Sequence, residues 1–170
     1  SKQFKAVISI LIKKIKEYNL NKIIIRLITN GSYMANPKTQ EALALLGNFN
    51  REVWFKIDQT NKEGVKTINQ VTLSTSSVKK NLEATLKNSP TIIQTCLFKL
   101  NKELPSSESL DNYIDFIKPY SDKIKGIHLY SLARPSEQIN EAKLTRLTDS
   151  ELETIADKIN ILNIPIQIFP

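Results

Sequence analysis

The chain has 170 residues, 41% of them hydrophobic, a composition typical of one soluble globular domain with a proper core. No apolar run approaches the roughly 18 residues that a membrane-spanning helix needs, so we expect no membrane association. The single cysteine, Cys96, excludes an internal disulfide and any thiolate cage made by this chain alone, and it fits the reducing cytoplasm.

The net charge of +7 favours binding to nucleic acid or to an acidic partner. However, the lysines are scattered singly among Asp and Glu, without an arginine-rich tract or interleaved aromatic residues. This pattern indicates a lysine-rich surface in solvent and leaves nucleic-acid binding as the weaker alternative.

Helices and strands alternate along the chain. The first segment has apolar residues at spacings of 3, 4 and 7, which is typical of an amphipathic helix and not of a targeting peptide. Short β-branched apolar segments predict the strands. The first of them, at 22–29, is apolar on both faces, so we expect it to be covered on both sides. Capping patterns predict several helix starts. The predicted elements in chain order are helix 1–19, strand 22–29, helix 37–46, strand 51–58, a short helix from 60 to about 68, helix 78–88, strand 91–98, helix 110–120, strand 126–132, helix 152–163 and strand 164–169.

Local signals set several of these boundaries. Asn36 and Pro37 supply a cap and a first turn for the second helix, which Gly47 ends. Pro119 kinks or stops the helix over 110–120. The capping-box spacing at 148–151 opens the last helix.

This alternation implies right-handed βαβ units and a parallel sheet in a single α/β domain over 1–170. About five strands form an open sheet or an arc, not a closed eight-stranded barrel. Because the chain opens on a helix with no preceding strand, we expect that a front portion is missing.

Polar residues follow three of the predicted strands on the face opposite to the apolar one. They are Lys56 and Asp58, then Gln94, then His128 and Tyr130. Ligands gather at the carboxyl ends of parallel strands, and a polar interior is costly unless its groups are satisfied. An internally paired wall would explain any one of these residues, but their convergence favours a pocket. His128 alone is more typical of a satisfied interior histidine, and Cys96 of a small buried apolar residue.

The sequence lacks the residues that several common types of binding and catalytic site require. The four glycines form no phosphate-binding loop, no G-x-S-x-G elbow appears, and one His with one Cys is too few for a zinc site. We therefore assign no catalytic residue and no metal ligand to this chain.

Four segments taken in order resemble the middle and later strands of the radical SAM superfamily: LITNGS, EALALLGNFNREVWFKIDQTNKEGVKTIN, TIIQTCLF and GIHLYSLARPSE. The resemblance covers nearly the whole chain. It implies an open partial TIM-like barrel of parallel strands with outer helices, truncated from the family's (βα)6 form. It further implies a [4Fe-4S] cluster held by a C-x-x-x-C-x-x-C loop, and S-adenosylmethionine that is cleaved there to a 5′-deoxyadenosyl radical.

The three-cysteine loop and the family's G-G-E-P-like segment are absent and would precede Ser1. Thiolates hold such clusters, so this chain alone cannot assemble one. The resemblance implies the C-terminal portion of a radical SAM iron-sulfur oxidoreductase-like protein, inactive alone. The S-adenosylmethionine and the cluster then belong to the parent protein, and no cofactor is expected in this fragment. The alternatives are a non-catalytic α/β binding module, with RNA as its ligand, and an unrelated TIM-like or flavodoxin-like fragment that strand order would identify.

The resemblance also implies positions for the site. The residues expected to contact the cofactor are Asn30, Lys56, Asp58, Gln94 and Tyr130, with Ser131 and Leu132 bordering the adenine. Arg134 and His128 are expected on the side of the substrate, whose identity does not follow from the family. Arg134 would receive a carboxylate or phosphate, although a surface loop arginine is an equal alternative. Truncation would leave the first strand's edge uncovered, so we expect a homodimer through that edge or marginal solubility.

Overall fold

The computed structural model describes residues 2–20, 22–58, 74–134 and 144–169. The chain divides into two compact units, which are described separately below. The first comprises Ser1–Phe55 and Leu73–Thr91, and the second comprises Lys56–Thr72 and Ile92–Pro170. A single folding domain over 1–170 stays a prediction.

The first unit alternates helices and strands as the sequence predicts. Its elements are α1 (Lys2–Glu17), β1 (Ile25–Thr29), α2 (Pro37–Ala44), β2 (Arg51–Lys56, whose last residue belongs to the second unit) and α3 (Thr75–Asn88). β1 and β2 pair in parallel, with Ile25 opposite Arg51 and Thr29 opposite Phe55. Val53 and Phe55 of β2 are completely buried, together with Leu43 of α2 and Leu82 of α3.

Helix caps fix the starts of α2 and α3. The Asn36 side chain accepts a hydrogen bond from the Lys38 N–H, as predicted, although α2 ends at Ala44 and not at Gly47. α3 begins three residues earlier than predicted, because the Ser74 side chain caps it by accepting from the Ser77 N–H. The predicted short helix from 60 to about 68 lies outside the described residues.

The expectation that β1 is covered on both faces is wrong. Ile28 is 57% exposed, and Ile23 and Ile24 just before the strand are also exposed. The buried face of α1 is likewise narrower than the apolar spacing predicts, because Val7, which belongs to that spacing, is exposed. Periodicity shows that side chains share a face, but it does not show that another element covers that face.

The second unit contains the rest of the strands. Its elements are β3 (Thr91–Leu100, which begins in the first unit), α4 (Ser107–Ile117), β4 (Ile124–Ser131), β5 (Leu144–Arg146), α5 (Asp149–Ile159) and β6 (Ile166–Phe169). β4 neighbours β3 and pairs in parallel with β6, while β5 pairs antiparallel with the end of β3. Within each unit the parallel strands are therefore neighbours in chain order, as expected for an arc.

Hydrogen bonds from two side chains, Ser131 and Thr148, fix local structure in this unit. The Ser131 hydroxyl donates to the Leu97 carbonyl and accepts from the Leu147 N–H, both at 2.8 Å, so it ties β4 to β3 and to the segment after β5. The predicted capping box is present, with reciprocal bonds between Thr148 and Glu151 at the start of α5.

No helix within the described ranges combines the length and apolar character needed to cross a membrane.

Candidate functional site

The turn after β1 has a structural reason for its sequence, Thr29-Asn30-Gly31. The Thr29 hydroxyl accepts from the Gly31 N–H at 3.0 Å, and the Asn30 side-chain oxygen accepts from the Ser32 N–H at 3.2 Å. Gly31 has a φ of +79°, and a Cβ there would lie 2.1 Å from the Phe55 ring. Asn30 is exposed and stabilises the turn. Its contact with a cofactor stays a prediction.

Strand alternation sorts the residues at the end of β2 as predicted. Val53, Phe55 and Ile57 are buried, with 1%, 0% and 3% of their surfaces exposed. Lys56 and Asp58 point to the opposite face, where they are only partly buried. The chain therefore presents a cation and a carboxylate side by side just as β2 ends.

Four side chains of the second unit form what we call the polar cluster: Lys56, Asp58, Cys96 and Tyr130. The Lys56 ammonium lies 3.5 Å from Asp58 Oδ2 and 6.0 Å from the centre of the Tyr130 ring. Asp58 Oδ1 accepts a hydrogen bond from the Cys96 N–H at 3.0 Å. The Ile57 N–H donates to the Gln94 carbonyl, which aligns the segment carrying Asp58 with β3.

The polar cluster sets the charge states of its own members. Burial lowers the pKa of Lys56, but Asp58 and Tyr130 outweigh it, so the pKa is raised. Burial and then the charge of Asp58 raise the pKa of Tyr130 and raise that of Cys96 to about 12. At neutral pH the cluster therefore holds an ammonium, a neutral phenol and a neutral thiol.

A cleft opens beside the polar cluster, between the end of β3 and the first turns of α4. Asp58 and Cys96 line it together with Ser109 and apolar residues that include Leu97, Phe98 and Leu110. Thr95 and Tyr113 also line the cleft, and a 2.9 Å hydrogen bond joins their buried hydroxyls. Burial raises the pKa of Tyr113, so this phenol stays neutral.

The other predicted site residues lie in different surroundings. Gln94 is partly buried, two residues before Cys96 on β3, and therefore on the same face of that strand. The His128 ring is buried and packs edge-on against Phe169, with ring centres 5.0 Å apart. Arg134 is exposed beyond the end of β4. The cofactor and substrate roles expected for these residues stay predictions.

Sequence reasoning missed Ser109 and Tyr113 as lining residues, and it interpreted Cys96 as a small buried apolar residue, whereas Cys96 is only partly buried and lines the cleft. One sequence signal could have identified Cys96: it follows Gln94 by two residues, so the two side chains lie on the same face of the strand. The bond from its backbone N–H to Asp58 has no sequence signal, because every residue except proline has that donor. Ser109 and Tyr113 join the site only through the packing of α4 beside β3.

The residues present do not fit an iron–sulfur cluster. Such clusters are held by several thiolates, whereas this chain has one cysteine, and its raised pKa keeps that thiol protonated. Within the described ranges, no group of three or more His, Cys, Asp or Glu side chains could hold a metal ion.

Comparison with known proteins supports the fold. No family model matches the chain, and no curated protein matches it. A domain of pyruvate-formate lyase-activating enzyme from Bacteroides vulgatus is similar over 98% of this chain and 94% of its own, with a TM-score of 0.66 and 12% identity.

A radical SAM methyltransferase from Sphaerobacter thermophilus is similar over 85% of this chain, with a TM-score of 0.50 and 10% identity. This chain covers 40% of that methyltransferase chain. At such identities the likeness concerns the fold alone. The chain is therefore a parallel α/β fold that matches a partial radical SAM-type barrel, as its sequence predicts.

Proposed function

We propose that this chain lines the S-adenosylmethionine and substrate pocket of a radical SAM-type protein. One observation carries the proposal: Lys56, Asp58 and Tyr130 converge in the polar cluster where their strands end. The carboxyl ends of parallel strands are where α/β folds bind ligands. The fold shared with radical SAM enzyme domains supports a nucleoside cofactor as that ligand.

The chemistry of the polar cluster suits an adenosyl group. Asp58 uses one oxygen for the Cys96 N–H and retains lone pairs that can accept from ribose hydroxyls. The Tyr130 ring provides an apolar surface for the adenine, and Lys56 holds the Asp58 carboxylate in position. Gln94 and Asn30 are proposed as further cofactor contacts, with His128 and Arg134 on the side of the substrate.

Since its residues do not fit an iron–sulfur cluster, we propose that the chain is not active alone. The cluster ligands would then come from residues outside this sequence. The neutral, reduced Cys96 thiol suits a protein of the cytoplasm. When bound in a complete protein, S-adenosylmethionine would supply the radical chemistry of the family.

Calorimetric titration with S-adenosylhomocysteine, which keeps the adenosyl group, tests the proposal. We expect saturable binding that Asp58→Asn weakens by about tenfold or more, because hydrogen bonds to charged groups contribute roughly 1.5–3 kcal/mol. Asp111→Asn is the matched control, since Asp111 is exposed on α4 and carries the same charge.

Equal affinity of the Asp58→Asn and Asp111→Asn variants would refute this role of Asp58. The RNA alternative predicts a different result: no nucleoside binding, and binding to single-stranded RNA that weakens steeply as salt is raised.

A further inference from the structure

The first unit leaves an edge and a face of its sheet open at β1. β1 is the end strand of the sheet, and within the described residues it pairs only with β2. The Ile25 N–H donates to the Asn50 carbonyl, so in this parallel ladder the backbone groups of Arg26 and Ile28 point away from β2. The side chains of Arg26 and Ile28 are exposed on one face of the strand. Parallel sheets are usually covered on both faces, and an unpaired edge can accept a further strand.

The Arg26 guanidinium on this face is oriented but only partly used. Its Nε donates to Glu52 Oε2 at 3.1 Å, and its central carbon lies 5.4 Å from the centre of the Trp54 ring. The Trp54 Nε1 donates to the same Glu52 oxygen at 3.4 Å. In the part of the chain that the structure describes, the two terminal nitrogens of Arg26 have no hydrogen-bond acceptor, and the side chain is 47% exposed. A second carboxylate is the group that these paired donors fit.

The positive charge of the chain is concentrated in the first unit. Its two residue ranges contain twelve lysines and arginines and four glutamates, a net charge of +8, whereas the second unit has twelve basic and thirteen acidic residues. A surface of one sign attracts a partner of the opposite sign. The segment 23–29 has no acidic residue, so a second copy would bring a like charge and no carboxylate to Arg26. An acidic strand therefore suits this edge better than a second copy does.

We propose that the first unit binds an extended acidic segment of a partner protein, which pairs with the free edge of β1. Directly opposite residues of neighbouring strands share a face of the sheet. The partner residue opposite Arg26 is therefore an aspartate or glutamate, and the one opposite Ile28, two positions away, is apolar. Backbone hydrogen bonds supply the affinity of such strand addition, and the alternate side chains supply its selectivity. This interaction goes beyond the proposed function, because it concerns the other unit and needs no nucleoside.

Hydrogen exchange of the whole chain, followed by two-dimensional ¹H–¹⁵N NMR, tests this surface. The probe is the peptide acetyl-TTETVTT-amide, whose glutamate and valine share one face of a strand, and its matched controls are TTQTVTT and TTKTVTT. We expect TTETVTT to slow exchange of the Arg26 and Ile28 amides, while the Leu27 and Thr29 amides, which already face β2, exchange as before. TTQTVTT should bind about two- to fivefold more weakly, because it lacks the cross-strand ion pair, and TTKTVTT should bind more weakly still.

Three results would overturn the proposal. The first is that TTETVTT leaves exchange of the Arg26 and Ile28 amides unchanged. The second is equal affinity for the three peptides, which would remove the role of the carboxylate. The third is protection of these amides by oligouridylate and not by TTETVTT, which would assign the surface to RNA.

A variant and a modified probe separate the side chain from the backbone. Arg26→Gln should abolish the preference for TTETVTT over TTQTVTT, whereas Arg146→Gln, which removes an exposed arginine of β5, should leave that preference unchanged. TTETVTT methylated at every backbone nitrogen keeps its carboxylate but has no N–H for the edge, so it should not bind. Binding of the methylated peptide overturns the proposal even if the Arg26→Gln chain does not fold.

Discussion

Replacing Gly31 by alanine tests how closely the turn after β1 is fitted to β2. The new Cβ would lie 2.1 Å from Phe55 Cζ, and Phe55 is completely buried, so the ring or the turn must move. Overpacking of this kind destabilises by roughly 1–3 kcal/mol. The backbone φ of +79° adds roughly 1–2 kcal/mol for a residue with a Cβ. The lower chain entropy of unfolded alanine offsets about 0.4–1 kcal/mol.

The net loss in the free energy of unfolding is therefore roughly 1–4.5 kcal/mol. For a chain of this size it corresponds to a fall in Tm of roughly 2–18 °C. Thermal and urea denaturation, followed by circular dichroism, measure both quantities. The free energy of unfolding should fall while the far-ultraviolet spectrum of the folded state is unchanged.

Gly47→Ala is the matched control. There a Cβ meets only the Ala44 carbonyl oxygen, at 3.1 Å, and the backbone does not have a positive φ. Its effect should stay below about 1 kcal/mol, as for most substitutions outside a special site. If Gly31→Ala destabilises no more than Gly47→Ala, the close approach to Phe55 does not exist in solution and the reasoning is refuted.

Three further predictions concern Cys96, Ser131 and the exposed edge of β1. Burial and Asp58 raise the pKa of Cys96 to about 12, so very little of this thiol is ionised at pH 8. The higher nucleophilicity of such a thiolate offsets part of this loss, and Cys96 should still react with iodoacetamide about tenfold or more slowly than an unperturbed thiol. Asp58→Asn should speed the reaction, and alkylation at the rate of the unfolded chain would contradict the prediction. Ser131→Ala leaves the buried Leu147 N–H without its acceptor and should cost roughly 1–3 kcal/mol in urea denaturation, a loss that an unchanged midpoint would disprove. Sedimentation analysis should find that the chain is a dimer. Ile28→Lys, at the exposed edge of β1, should weaken the dimer, whereas the control Tyr33→Lys, at another exposed residue, should not. A wild-type chain that is monomeric at high concentration would rule the dimer out.

Much of the fold follows from local patterns in the sequence. The alternation in 51–58 correctly separates Phe55 from Lys56, and the capping box at the start of α5 forms as its spacing predicts. β5 was missed because it is three residues long, with Thr145 and Arg146 exposed, and so has no apolar pattern. It pairs with the end of β3, a contact that depends on the tertiary fold.

The candidate site was predictable only in part. Alternation along a strand predicts which side chains share a face, and a parallel sheet places the carboxyl ends of its strands at one edge. Together these two rules predict that Lys56, Asp58 and Tyr130 lie close to one another. The cleft was not predictable, since it requires α4 to stand beside β3 and the Cys96 N–H to point at Asp58. Neither the direction of a backbone N–H nor the packing of a helix beside a strand produces a recognisable pattern of residue spacing.

The central claim is that the polar cluster holds an adenosyl group. A crystal structure of the chain with S-adenosylhomocysteine tests it most directly. We expect the ribose hydroxyls within hydrogen-bond distance of the Asp58 carboxylate and the adenine against the Tyr130 ring. A nucleoside bound with neither residue in contact would contradict the claim, as would a structure grown at saturating ligand in which no nucleoside lies at the cluster.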